Sequence, residues 1–70
     1  MPTQQQYVDF IQDVLITIHA NIRELKERKS FGEPEELSYI EARLMAYQEF
    51  LSTLRASADD LKIPRSELGL

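Results

Sequence analysis

A chain of 70 residues with 43% hydrophobic and 29% charged side chains, two Gly, three Pro and no Cys has room for at most one small domain. That length excludes α/β nucleotide folds and barrel enzymes, and the missing cysteine excludes a disulfide framework or a cysteine-held zinc. The formal net charge of −4 argues against a general role on nucleic acid or anionic membranes.

The first residues, Met1-Pro2-Thr3-Gln4-Gln5-Gln6, contain no basic region and no apolar run. No secretory signal is expected there, and the cytoplasm is the expected location. The longest aliphatic run is Val14-Leu15-Ile16, far short of the ~20 residues of a membrane span. No membrane partner is expected.

A heptad stripe opens at Val8. Steps of three and four visit Val8, Ile11, Leu15, Ile18, Ile22 and Leu25, all aliphatic. Thr3 followed by Gln6 has the capping-box spacing and marks a helix start. Lys26, Arg28 and Lys29 suit the negative end of the helix dipole. The pattern predicts a first helix over about 4–29. Ser30-Phe31-Gly32-Glu33 reads as a turn, and Pro34 suits the first position of a following helix.

The second stripe visits Leu37, Ile40, Leu44, Tyr47, Leu51, Leu54, Ala58 and Leu61. Glu33, Glu35 and Glu36 crowd its start, as the dipole prefers. Pro64 opposes continuation past Ile63. A second helix over about 34–62 follows, with a tail at 63–70. At ~1.5 Å per residue each helix is about 40 Å long. So short a loop makes the pair antiparallel. The expected fold is all-α: one domain over 1–70, a two-helix hairpin that dimerises into a four-helix bundle. The cations closing the first helix are expected beside the three glutamates opening the second, an exposed pairing worth ~0–1 kcal/mol each.

One seam between two helices buries too little apolar surface for a stable unit without staples. The bulky apolar residues outside the seam show where more is to be buried. With Val8 and Leu37 as heptad position a, Tyr7, Val14 and Phe50 fall at g, and Phe10, Tyr39 and Ala46 at c. In an antiparallel pair g faces g, so both g/c sides share one face of the hairpin. Arg43 lies at g in the same row, at the rim or paired with Glu36 or a partner's carboxylate. The other side is polar, broken only by Ile16 and Met45. The apolar face is an interface signal. Its expected residues are Tyr7, Phe10, Val14, Tyr39, Arg43, Ala46 and Phe50. Phe10, Val14 and Phe50 form the middle. Rotation of the helices or a tail folded over this face is the alternative.

Residues that carry chemistry elsewhere find no companions here. His19 is the only histidine, at e on the polar side, with Ile16 three residues before it rather than the glutamate of a bundle metal site. The carboxylates sit at helix starts or near Arg and Lys. Asp59-Asp60 near a helix C-terminus opposes the dipole, with Arg55, Lys62 or a partner to compensate. No serine triad or glycine-rich phosphate loop is present. No catalytic residue, metal or cofactor is expected, and no small-molecule substrate. Arg23, Lys26, Arg28 and Lys29 form one basic cluster, diluted by Glu24 and Glu27, which argues against RNA as the partner. Ile63, Leu68 and Leu70 give the tail apolar anchors. It is expected to dock across the open end near Tyr7 and Leu61, or to serve as a linear motif. The reading is a small non-enzymatic interaction or regulatory module whose partners are a second copy and another protein. An obligate small subunit of a larger protein is the alternative, and an RNA-binding hairpin dimer ranks third.

Overall fold

A computed structural model describes all residues, 1–70. It is all-helical, with two long helices, α1 (Gln4–Lys29) and α2 (Pro34–Asp60), and a short α3 (Arg65–Leu68). There are no strands. The hairpin is 47 Å long and 21 by 19 Å across. No helix is long and apolar enough to cross a membrane.

The start of α1 is a full capping box. The Thr3 hydroxyl accepts from the Gln6 amide at 3.1 Å, and the Gln6 side chain accepts from the Thr3 amide at 2.7 Å. Two otherwise orphaned N–H groups are thereby satisfied. At the turn, Ser30 and Phe31 donate back to Glu27 and Arg28. Gly32 then passes so close to the Arg28 carbonyl that a Cβ there would stand 3.3 Å from it. Pro34 opens α2 at its first position, where a missing N–H costs nothing.

The seam is where the stripes put it. Every buried residue of the chain is a seam position: Leu15, Ile22 and Leu25 on α1, Ile40, Leu51 and Ala58 on α2. Leu15, Ile22 and Leu51 form the central cluster, with Ile11, Ile18, Leu44, Tyr47, Leu54 and Leu70 packed around it. Val8 and Leu37 are half-buried.

Leu61 departs from the pattern and is 71% exposed. The reason is in the backbone. The last α-helical residue is Asp60, two short of the expected 62, because Lys62 adopts a left-handed conformation at φ 58°. The Ile63 amide donates to the Ala58 carbonyl at 2.8 Å and the Lys62 amide to Asp59 at 3.1 Å. These are the two bonds of a Schellman cap, built on a lysine instead of the usual glycine. The chain therefore turns away before Pro64 has to stop it.

The tail does not stay extended. Pro64 caps α3, which ends on Gly69 at φ 79°. The segment docks on α1, where the Gln12 side-chain amide donates to the Glu67 carbonyl at 2.8 Å. Ile63, Pro64 and Leu68 share a cleft with Tyr7, Val8 and Ile11. Tyr7 is thus part of the dock, and the exposed Leu61 is not. The compensation for Asp59 comes from the tail too. Arg65 grips its carboxylate with two bonds, Nε to Oδ1 at 3.0 Å and Nη2 to Oδ2 at 2.6 Å. Arg65 fills the place expected of Arg55 or Lys62. Its guanidinium holds the Asp59 carboxyl below the usual range.

Near the turn the expected cluster of charges resolves differently. The ion pair that forms is Lys29 with Glu41, at 3.4 Å, one turn further along α2 than Glu33, Glu35 and Glu36. Both side chains are about half exposed, so the pair contributes little.

Candidate interaction face

The g/c face of the hairpin stays open. Tyr7 is 57% exposed, Phe10 64%, Tyr39 56% and Phe50 43%. The docked tail lies over the seam at the N-terminal part of α1 and leaves Phe10 uncovered. Arg43 and Ala46 are exposed, and Val14 is half-buried between them and the end of the hairpin. This side carries a polar depression lined by Asn21, Glu24, Leu25, Arg28 and Arg43, and two apolar ones. One is a shallow, almost wholly apolar groove lined by Ile18, Arg43, Ala46, Tyr47 and Phe50. The other is formed by Pro2, Gln6, Tyr7 and Phe10. Arg43, Ala46 and Phe50 are thereby brought together with two seam residues, Ile18 and Tyr47, that also serve the face. Tyr7 and Phe10 make a separate cluster.

Arg43 is held differently from expectation. No carboxylate lies within ion-pair distance of it. Its Nη1 donates to the Tyr39 hydroxyl at 3.0 Å and its Nη2 to the Tyr47 hydroxyl at 3.1 Å. The guanidinium carbon stands 5.8 Å from the centroid of each ring. Positions 39, 43 and 47 are successive i, i+4 neighbours, so the helix itself stacks the three side chains. Asn21 on α1 donates to the same Tyr47 hydroxyl at 3.3 Å and ties the cluster to the facing helix. The hydrogen bonds to the two phenols, Tyr39 first, raise the Arg43 pKa above its ordinary value. Donation from Arg43 and then Asn21 holds the Tyr47 phenol below its usual range. Neither hydrogen-bond partner is a carboxylate. The arginine is therefore fixed in place with its charge unmatched. Sequence reasoning named Arg43 and Tyr39 and missed Tyr47 and Asn21 as their supports. The 39/43/47 spacing is the signal that finds them.

The opposite side has its own exposed apolar residues, Ile16 at 68% and Met45 at 64%, set singly among polar neighbours. Phe31 projects from the turn. His19 is exposed on that polar side. No group of three or more His, Cys, Asp or Glu side chains gathers at a spacing that would hold a metal ion. Compared with known proteins, the chain matches no family model, no curated protein and no solved structure, which leaves the geometry of the apolar face to carry the functional reading.

Proposed function

We propose that this chain is a small non-enzymatic interaction or regulatory module that works by self-association. Two hairpins join by their g/c faces into a four-helix bundle, and the assembled bundle offers its outer surface to another protein. Its setting in this reading is the cytoplasm.

The observation that carries the reading is the open face itself. Tyr7, Phe10, Tyr39 and Phe50 stand on one side of a rigid hairpin, each more than two-fifths exposed. Exposed aromatic side chains gathered on one side of a molecule mark an interaction site. The thinness of the core supports the same reading, since six of 70 residues are buried. A chain of this size without disulfide or metal is stabilised by oligomerisation in many small folds.

Sedimentation equilibrium at micromolar concentration tests it. The expected mass is twice the 8.2 kDa of the chain. Phe50→Asp places a charge in the centre of the face and is expected to shift the mass to that of one chain and lower the melting temperature. A helical, stably folded monomer of the unaltered protein would overturn self-association and favour the larger-protein subunit in its place.

A further inference from the structure

Helix α2 carries on this face two rows of side chains, the g row (Glu36, Arg43, Phe50, Ser57) and the c row (Tyr39, Ala46, Thr53, Asp60). As in any heptad, the two rows are related by reversal about each boundary between an a and a b position, and the boundary between Leu51 and Ser52 is the one that sets Arg43 against Asp60. Phe50 stands one residue before Leu51 and Thr53 one after Ser52. Ala46 and Ser57 stand five away, and Arg43 and Asp60 eight away. Helix α1 has the same relation about the point between Leu15 and Ile16. Val14 and Thr17 stand one away, Phe10 and Asn21 five, Tyr7 and Glu24 eight. Leu15 and Leu51 share a core cluster with Ile22, and Asn21 bonds Tyr47 across the seam, so the two midpoints lie within about one helical turn of the same level. One axis, perpendicular to the helices, therefore serves both.

We infer that a second copy of this chain covers the face about that two-fold axis, with α1 antiparallel to α1 and α2 antiparallel to α2. The inference rests on the self-association proposed above and adds its direction, register and polar anchor. An isologous contact requires a self-complementary surface, and this register supplies one. Phe50 meets Thr53 and Val14 meets Thr17, a larger apolar side chain against a smaller polar one, and Ala46 meets Ser57, two small side chains that allow close approach. Arg43 meets Asp60 of the second copy, and the Tyr7 hydroxyl meets Glu24 of the second copy.

Charge complementarity favours this occupant. Arg43 has no carboxylate in its own chain, and its two phenol contacts use two of five N–H donors. Asp60 is exposed at the C-terminal end of α2, while Arg65 is committed to its neighbour Asp59. Asp60 thus sits against the helix dipole with no cation of its own. One unmatched cation and one unmatched anion, equally far from the midpoint on opposite sides, are neutralised together when the copy is reversed. The whole side of the hairpin, 47 Å by 21 Å, has an outline of about 1,000 Å², against about 800 Å² per partner in a standard interface.

Charge reversal and cross-linking test the register separately from dimerisation itself. Arg43→Asp and Asp60→Arg are each expected to weaken the dimer about tenfold, because each dimer contains the pair twice. The double variant restores it to within about threefold, because the pair is kept with its signs exchanged. In a protein without cysteine, mixing Ala46→Cys with Ser57→Cys and oxidising gives the mixed disulfide as the main product. Dimers that ignore the charge reversals, or give no 46–57 cross-link, overturn this register and leave self-association standing. A two-fold axis parallel to the helices, with α1 on α2 of the copy, gives that result. Unaltered protein that sediments as a monomer overturns both.

Discussion

Leu51 and Leu61 both belong to the apolar heptad stripe of the second helix, yet they should respond very differently to truncation. Leu51 is 2% exposed among Leu15, Ile22 and the residues around them. Replacing it with alanine removes three carbons, a transfer loss of about 2.5 kcal/mol at ~0.8 kcal/mol per methylene. The cavity adds to that, but the seam is only one side chain deep and open at its flanks, so it collapses readily. A total of about 3 kcal/mol follows, in the lower part of the range for buried leucines. Leu61 is 71% exposed beyond the end of α2, and its truncation is expected to cost under about 0.5 kcal/mol. Urea titration followed by circular dichroism at 222 nm measures both, at one fixed protein concentration because dimerisation couples to stability. A hairpin this small has little stability to lose, so the Leu51→Ala protein is titrated with trimethylamine oxide present in all samples. Equal costs at the two positions would refute the reasoning. They would mean that α2 runs on through Leu61 and that the left-handed turn at Lys62 does not form.

Two further outcomes follow from the tail. Lys62→Gly should raise stability by about 0.5–1 kcal/mol, since a left-handed backbone costs an L-residue ~1–2 kcal/mol and glycine's looser unfolded state returns part of the gain. Lys62→Ala in the same thermal melts separates backbone from charge, and should show no such rise. Docking of the tail should also weaken in acid. Arg65 lowers the Asp59 pKa in the folded chain, so this contribution is complete above the ordinary carboxylate range and fades as pH falls through the lowered value. Methyl resonances of Leu68 and Leu70 against pH report it, and Asp59→Asn should leave them in their low-pH positions at every pH.

The seam was legible because its signal is periodic. Thirteen of the fourteen stripe residues are buried or half-buried, and Thr3 with Gln6 marks the helix start that forms. Leu61 is the failure, and it is instructive. The apolar period runs on in the sequence while the backbone turns, and a lysine in the turning position gives none of the warning a glycine would. Asp59 and Arg65 are six residues apart across that turn, a spacing that matches no helical neighbour relation, so their bond had no local pattern to reveal it. At Arg43 the pattern was present. The i, i+4 tyrosines on both sides are plain in the sequence, but a search for an opposite charge passes over neutral phenols. Direction and register within a dimer depend on both helices being close in level at Leu15 and Leu51, which only the folded hairpin displays.

The bond from Gln12 to the Glu67 carbonyl joins residues 55 positions apart. Everything else near it zips from a short turn outward, the low-contact-order route by which helical hairpins form quickly. Only after the seam has brought the start of α1 beside the end of α2 is the tail within reach of Gln12, and few contacts then hold it. The tail is thus the last piece to arrive and the first to leave, a separate opening unit of lower stability than the seam. Tyr7, at the edge of the open face, lies against that unit. Each opening of the tail lengthens the apolar surface of the hairpin for a moment, without unfolding either long helix.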